Sequence, residues 1–323
     1  MSESPTMATI PGAAEAAGTD QETTPDRPVR ARRPRSIRYA SWWWTLPAVL
    51  IIVTMHYVSV GVGGFFSFTN YKGFGSFKFV GLDNFVKVFT DPVARGAVGN
   101  TLLLALGFVI LVNLFGFGFA LALNRQLKSR HFLRGLLFMP VVLSPLAVSF
   151  VWKFIFQYDG PLNGFLAAVG LGDLQKAWLG DPSTAIWTIL LVLVWQHIGI
   201  TMVIYLAGLA NVPQELEEAA SMDGAPLLKR FQHVTLPLMR GAVVIATTLS
   251  LIRGLSVFDQ VIALTAGGPF NATETLATQV WRQTFVNSNF GYGSAIALVL
   301  TIVIAVLALA QMGLMRSRED HGK

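Results

Sequence analysis

Polar side chains of four kinds interrupt an otherwise apolar stretch near residue 255, and their spacing could form a binding surface. At 100° per residue, Arg253, Ser256 and Gln260 share one face of a helix, and Asp259 lies at its edge. Ionisable groups are costly inside a membrane, so such residues indicate a functional site by default. The pattern predicts that these side chains line a path for a polar solute.

A second polar series occurs in the preceding apolar stretch. His197, Thr201 and Tyr205 recur at every fourth residue, and Gln196 lies next to the first of them. Residues four apart share one face of a helix, so these side chains would face the same direction. We therefore add Gln196, His197 and Tyr205 to the candidates for the solute path.

Structural interpretations of both series remain open at this stage. Arg253 could pair with Asp259, or with a partner subunit, for purely structural reasons. His197 could be a packing histidine whose hydrogen bonds are satisfied within the helix bundle. The sequence alone does not decide between these roles and solute contact.

An enzyme interpretation is weaker. Gly254-Leu255-Ser256 superficially resembles the G-x-S-G of intramembrane serine proteases, but Val257 replaces the second glycine. The last apolar segment also contains no histidine. We assign no catalytic residue. The absence of cysteine excludes disulfides and thiolate metal sites, and no metal site is predicted.

The composition requires elements that tolerate lipid. The chain is 53% hydrophobic and 13% charged, whereas soluble domains are about 25% charged. A helix needs about 20 apolar residues to cross the hydrocarbon core. The sequence therefore predicts an all-α integral membrane protein with six transmembrane helices, at roughly 42–66, 97–123, 135–157, 185–211, 241–265 and 291–315.

Charge distribution predicts the orientation of these spans. Residues 1–40 are small, polar and acidic before an arginine-rich end, which predicts a disordered tail ahead of a membrane domain at 41–316. Placing both termini in the cytoplasm puts 16 of the 24 Lys and Arg on that side and six on the other. This bias matches the positive-inside rule, so both termini are predicted to be cytoplasmic.

A charged stretch between the fourth and fifth spans then lies in the cytoplasm. Pro213 and the glutamates after it favour the start of a helix, and Gly224 is a usual helix end. Pro226 would open a second helix with an apolar face. A simple linker between spans could be shorter, so this loop, at 213–239, is predicted to dock on a cytoplasmic partner.

The same loop carries a recognisable pattern. Glu218-Ala219-Ala220, Gly224, Val234 and Leu236-Pro237 reproduce E-A-A-x3-G-x9-I-x-L-P, with Val in place of Ile. It resembles the cytoplasmic loop of permease subunits of binding-protein-dependent ATP-binding-cassette (ABC) importers, which have the type I permease fold. The segments at 257–269 and 290–300 resemble the carbohydrate branch of that family, of the maltose and multiple-sugar type.

The resemblance implies how the loop would work. Its first helix would be a coupling helix that sits in a cleft of a separate ATPase. The chain has no phosphate-binding loop of its own, so ATP would be used by that partner and no cofactor would be bound here. The implied coupling residues are Glu218, Ala219, Ala220, Asp223, Gly224, Leu236 and Pro237.

The resemblance also implies partners and a solute. The expected complex contains a second, different permease, two ATPase copies and one extracytoplasmic solute-binding protein, in the bacterial cytoplasmic membrane and without nucleic acid. The solute would be a sugar or oligosaccharide, whose rings could stack on Trp195 or Tyr205; another small solute such as glycerol phosphate is the alternative. A transporter working alone would not need the charged helix pair.

Overall fold

A computed structural model describes residues 42–125 and 127–320. Within those residues the regular structure is helical, apart from one isolated antiparallel bridge between Thr69 and Phe79. The predicted tail at 1–40 lies outside the described residues.

The helices run in chain order along the described part of the chain. They are α1 (Leu46–Phe66), α2 (Asp83–Thr90), α3 (Pro92–Asn124), α4 (Arg130–Val142), α5 (Pro145–Ile155), α6 (Pro161–Ala168), α7 (Pro182–Ala210), α8 (Gln214–Met222), α9 (Leu227–Leu238), α10 (Arg240–Leu255), α11 (Asp259–Leu264), α12 (Leu276–Trp281) and α13 (Phe290–Asp320).

Four of these helices are long and apolar enough to cross a membrane: α1, α3, α7 and the first 24 residues of α13, Phe290–Gly313. Two further pairs pass the same test only as bent units. The angle between α4 and α5 is 99°, and that between α9 and α10 is 73°. The described residues therefore supply four candidate spans, or up to six if each bent pair counts as one.

The third predicted span, 135–157, is wrong as a single straight helix. The helix ends at Val142, and α5 begins at Pro145. Proline disfavours the helical region for the residue before it, and Ser144 accordingly has an extended backbone with ψ of 135°. Pro140, inside α4, weakens the preceding turn as well.

The fifth predicted span, 241–265, is also interrupted. α10 ends at Leu255, and residues 256–258 separate it from the six-residue α11. This break contains neither proline nor glycine, so no residue within it predicted the end of a helix. A distant side chain supports it instead, because the Thr275 hydroxyl donates a hydrogen bond to the Val257 carbonyl at 3.0 Å.

Two other spans begin earlier than their apolar stretches do. The Asp91 side chain accepts from the Val93 amide at 2.9 Å, and Asp181 does the same for the Ser183 amide at 2.9 Å. Each aspartate is followed by a proline in the first helical turn. Capping of this kind extends the helices past the apolar windows that predicted 97–123 and 185–211.

α7 occupies the centre of the helix packing. It contacts α3, α4 and α10, and it is the most buried of the candidate spans. Close approach to α4 depends on Gly199, since a methyl group added there would overlap the Leu137 carbonyl oxygen and come within 2.7 Å of the Phe138 Cα. Small residues at such contacts let helix backbones approach inside a membrane.

Candidate functional site

A cavity of about 410 Å³ lies between α7, α10 and the break before α11. Its walls mix apolar side chains with a small number of polar ones, which is typical of sites that bind small molecules. The polar residues along it are His197, Thr201, Ser250, Arg253, Ser256, Asp259 and Gln260.

Most of the predicted solute-path residues thus meet at one cavity. Arg253, Ser256 and Asp259 are exposed toward it, and His197 and Gln260 line it while otherwise buried. The prediction that Arg253, Ser256 and Gln260 share one continuous helix face is wrong, because the helix ends at Leu255. The break instead brings the residues on both sides of it to the cavity wall.

Arg253 is oriented by a histidine and not by a carboxylate. Its Nη1 donates to His197 Nε2 at 2.8 Å, and the other ring nitrogen, Nδ1, lies 2.9 Å from the Leu193 carbonyl. A guanidinium has no acceptor, so Nε2 must offer a lone pair and the proton must be on Nδ1. His197 is therefore a neutral imidazole that positions Arg253.

The alternative pairing of Arg253 with Asp259 is not found in the described part of the chain, where the one salt bridge joins Arg282 to Glu274. Arg253 thus reaches the cavity with most of its five donors not engaged by His197. Because His197 uses both ring nitrogens, it has none to accept a proton from Ser256. The geometry does not support a serine nucleophile activated by this histidine.

Gln196 acts behind the cavity wall. Gln260 Nε2 donates to Gln196 Oε1 at 2.9 Å, and Gln196 Nε2 donates to the Leu143 carbonyl at 3.2 Å. Both glutamine side chains are buried. Gln196 therefore links α7 to α11 and to the break between α4 and α5, which makes it a positioning residue.

Tyr205 lies away from the cavity. Its hydroxyl donates to Asn113 Oδ1 at 2.8 Å, and Asn113 Nδ2 donates to Ser250 Oγ at 3.3 Å. This network joins α7, α3 and α10. Trp195, the other expected stacking residue, meets Trp152 with ring centroids 5.3 Å apart and is not part of the cavity lining.

Asn113 was missed from the sequence although it stands within a long apolar helix. An amide inside such a helix needs a hydrogen-bonding partner, and that requirement is the feature of the sequence that points to Asn113. Phe258, which lines the cavity, is an aromatic side chain that could stack on a ring.

The charged stretch after α7 folds as a helix pair, α8 and α9. Gly224 follows the first helix with φ of 74°, the left-handed region that glycine adopts without strain. The Ala225 amide donates to the Ala220 carbonyl, and the Gly224 amide donates to the Ser221 carbonyl, both at 3.1 Å. These two bonds form a Schellman motif, which ends the helix and turns the chain.

The predicted coupling residues lie mostly on the surface of this pair. Glu218, Ala219, Asp223 and Gly224 are exposed, Leu236 is 38% exposed, and Ala220 and Pro237 are half-buried. Large apolar side chains beside them are also exposed: Met222 by 88%, Leu227 by 75% and Leu228 by 66%. Apolar groups clustered in this way mark an interaction surface.

A neighbouring glutamate, not a predicted one, braces the pair. The Thr235 hydroxyl donates to Glu217 Oε1 at 2.8 Å and ties α9 back to α8. Glu218 accepts from Gln214 Nε2 at 2.9 Å within its own helix. Among the described contacts, Glu217 and not Glu218 or Asp223 joins the two helices.

The loop between α11 and α12 contains a buried acid that the sequence did not single out. Glu274 is fully buried and pairs with Arg282 at 2.8 Å. Arg282 also donates to the Ala266 carbonyl at 2.8 Å and to Asn271 Oδ1 at 3.0 Å. The Glu274 carboxylate packs against Gly267, whose φ is 84°, so a side chain there would collide with it.

Burial raises the pKa of Glu274, while the charge of Arg282 opposes that rise. The main cost of burying this carboxyl is its desolvation. Its cationic partner Arg282 and the loop around it hold it in place. Arg282 therefore fixes the shape of the loop that follows α11. In the described residues no group of three or more His, Asp or Glu could hold a metal ion.

The chain matches a known protein family over more than half of its length. Residues 113–319 match the family described as "Binding-protein-dependent transport system inner membrane component". The chain is 36% identical, over 288 residues, to the multiple sugar-binding transport system permease protein MsmF of Streptococcus mutans. That alignment covers 88% of this chain and 99% of MsmF.

Two further proteins extend the comparison. The probable starch degradation products transport system permease protein AmyD of Thermoanaerobacterium thermosulfurigenes is 29% identical, covering 90% of this chain and 99% of its own length. The fold matches a chain from the crystal structure of a bacterial alginate ABC transporter in complex with an alginate pentasaccharide-bound periplasmic protein. Its TM-score is 0.74 at 21% identity, covering 85% of this chain and 93% of that one.

Proposed function

Because the chain belongs to the family of binding-protein-dependent transport system inner membrane components, we propose that it is one permease subunit of an ABC importer for a sugar or oligosaccharide. The names of MsmF and AmyD, which include sugar and starch degradation products, support this class of solute. The observation that carries the proposal is a cavity with polar side chains in its apolar wall, in the same chain as an exposed charged helix pair.

We infer the following membrane arrangement. The pair α4 and α5 forms one span, and α10 with α11 forms another, so the domain at 41–316 has six spans and the type I permease fold, after a cytoplasmic tail at 1–40. Both termini and the loop at 213–239 face the cytoplasm of a bacterial cell. The distribution of Lys and Arg supports this orientation.

The coupling residues act on a partner. The exposed α8 docks in a separate ATPase dimer through Glu218, Ala219, Ala220 and Asp223, with Gly224 fixing the turn and Leu236 and Pro237 closing the element. The exposed apolar side chains next to α8 favour such docking. This chain binds no cofactor and catalyses no reaction, since ATP is used by the partner.

Two other partners complete the pathway. A second permease, a different chain, forms the other half of the pore, and an extracytoplasmic solute-binding protein delivers the sugar. The family description names dependence on a binding protein, which supports this last partner. ATP binding and release would shift the spans between two states by differential contact at α8.

Arg253, Ser256 and Asp259 supply donors and acceptors to sugar hydroxyls in the cavity. Arg253 offers several N–H groups in one plane, which suits adjacent hydroxyls. Gln260, His197 and Gln196 hold the wall around them. Phe258 offers an apolar face for a sugar ring, and Tyr205 acts only through the helix packing.

Uptake into proteoliposomes tests the proposal. The chain is purified with the subunits that accompany it, reconstituted with its solute-binding protein, and supplied with ATP and labelled solutes. We expect ATP-dependent uptake of a sugar or oligosaccharide and co-purification of an ATPase and a second permease. Uptake by the chain alone, or uptake restricted to amino acids or to glycerol phosphate, would contradict the proposal.

A further inference from the structure

The short helix α2, between the first two candidate spans, exposes an apolar stripe. Leu82, at its N-terminal boundary, is 64% exposed, Val86 is 58% exposed and Phe89 is 61% exposed. At 100° per residue these three positions lie within about 60° of one another around the helix axis. Apolar side chains of this size, aligned on one face, indicate a surface that is covered in the working protein.

The opposite face of α2 is fixed to the rest of the chain. Asn84 Nδ2 donates to the Ser67 carbonyl at 2.9 Å and to the Thr69 carbonyl at 2.8 Å. Val88 is fully buried in a cluster that includes Tyr292. The Lys87 ammonium lies 4.5 Å from the centre of the Tyr292 ring. Turning the stripe inward would break these contacts, so the stripe stays on the outside.

The same contacts set the depth of α2 relative to the spans. Ser67, which accepts from Asn84, follows directly after the end of α1 at Phe66. At the other end, Asp91 follows Thr90 and caps α3. The helix therefore lies where two candidate spans end.

We propose that α2 is an interfacial helix whose stripe of Leu82, Val86 and Phe89 contacts lipid acyl chains. Amphipathic helices at this depth bury their apolar face by several ångströms and keep their polar residues in the headgroup layer. By the proposed six-span topology this is the outer leaflet, opposite to α8 and α9. The contact is independent of which solute is imported, so it goes beyond the proposed function.

Two observations favour lipid over a protein partner at this stripe. The stripe contains no hydrogen-bonding side chain, whereas protein interfaces carry polar rims and about one hydrogen bond per 100–200 Å². The two adjoining spans also expose apolar side chains, Phe65 of α1 by 54% and Val93 of α3 by 37%. A stripe between two apolar spans suits contact with lipid better than contact with a water-soluble binding protein.

The absence of cysteine from the sequence makes the test direct. Single substitutions Val86→Cys and Phe89→Cys would carry a nitroxide in the assembled importer, reconstituted in phosphatidylcholine and phosphatidylglycerol vesicles. Collision rates of the nitroxide with oxygen and with a water-soluble nickel chelate report its surroundings. Leu106→Cys on α3 provides the lipid reference, since Leu106 is 58% exposed on a candidate span, and Lys78→Cys provides the aqueous one.

We expect the stripe positions to favour oxygen over the nickel chelate, as Leu106→Cys does, with the chelate rate at least several-fold below that at Lys78→Cys. Asp83→Cys, on the same helix but outside the stripe, should be reached by the chelate. Leu82→Cys replaces either of the other two stripe variants if one of them fails to assemble. These readings require no transport, so they succeed or fail separately from the sugar-import proposal.

Two results would overturn the lipid contact. Chelate access at Val86→Cys and Phe89→Cys equal to that at Lys78→Cys would place the stripe in water. Exclusion of both reagents would place it against protein; restored access after removal of the solute-binding protein would then identify that protein as the occupant.

Discussion

At the scale of single residues, the cavity depends on how one cation is held. An aspartate partner would neutralise Arg253 and occupy its donors, whereas the His197 imidazole takes one N–H and leaves the charge in place. The remaining donors can then meet solute hydroxyls. Positioning by a neutral acceptor therefore keeps the guanidinium available for binding.

Removing that acceptor should weaken solute binding. His197→Ala leaves Arg253 without its 2.8 Å contact, and hydrogen bonds to charged groups are worth about 1.5–3 kcal/mol, or about tenfold or more in affinity. We expect the KM for the imported sugar to rise by about that factor in proteoliposomes. Tyr205→Phe is the control, since its hydroxyl bonds Asn113 outside the cavity. Equal KM values for His197→Ala and the parent would contradict the positioning role.

A second residue-scale prediction concerns pH. Burial raises the pKa of Glu274 above its ordinary 4.5, so folding favours the protonated carboxyl. The contribution of Glu274 to stability therefore falls as pH rises from 4.5 through the pKa of the folded protein. Glu274→Gln removes this titration. We expect the Tm of the parent relative to Glu274→Gln to decrease as pH rises above 4.5. Thermal unfolding in detergent at pH values above 4.5 measures this difference in Tm. Parallel curves of Tm against pH for the two proteins would refute the raised pKa of Glu274.

At the scale of elements, most of the described structure follows from how helices end. Proline separates α4 from α5, aspartate caps extend α3 and α7, and a left-handed glycine closes α8. At Pro213 and Gly224 such residues were used and the helix pair was predicted, whereas Pro145 and the capping aspartates were present but not used, so a break and two helix starts were missed. Where a helix end depends on a distant group, as with Thr275 at the break after Leu255, no pattern in the nearby sequence predicted it.

The candidate site was predictable to a similar degree. Spacing and cost of burial identified Arg253, Asp259 and His197, which do line the cavity. The roles of Gln196 and Tyr205 could not be predicted, because they depend on which helices touch and at what height. Glu274 stood in a loop, and its burial arises from the fold of that loop around Arg282.

The turn between α8 and α9 offers a test of docking. A Cβ at Gly224 would meet nothing of this chain within 4 Å, so the cost of a side chain there is the left-handed backbone alone, about 1–2 kcal/mol. Gly224→Asn tolerates that backbone, whereas Gly224→Trp also projects bulk outward. We expect Gly224→Trp to separate ATP hydrolysis from uptake while Gly224→Asn keeps both nearly normal. Normal uptake by Gly224→Trp would argue against docking at this turn.

The contact between α7 and α4 gives a second element-scale prediction. Gly199→Ala places a methyl group against the Leu137 carbonyl, and overpacking of this kind costs about 1–3 kcal/mol. We expect lower thermal stability in detergent and less folded protein in the membrane. Gly118→Ala is a matched control on α3, because nothing lies within 4 Å of its added methyl. Helix propensity alone would stabilise both variants, because alanine favours a helix more than glycine does, so an equal loss in both would contradict the role of the contact.

At the scale of the whole molecule, the charged helix pair and the loop before α12 should lie on opposite sides of the membrane. Ser221 is exposed in the helix pair, and Phe270 is 94% exposed in the loop. In intact cells a membrane-impermeant maleimide should label Phe270→Cys and spare Ser221→Cys, and permeabilisation should expose the second. The reverse pattern would invert the proposed topology.

The glutamine pair at the cavity wall has an electrical consequence. Gln260 and Gln196 join α11 and α7 to the break between α4 and α5 through amides, which carry no net charge. A transmembrane voltage acts on charge, by about 2.3 kcal/mol per elementary charge per 100 mV. The voltage does no comparable work on the Gln260–Gln196 amide pair. Separation of these two side chains would therefore depend on mechanical contact with neighbouring helices and not on the membrane potential.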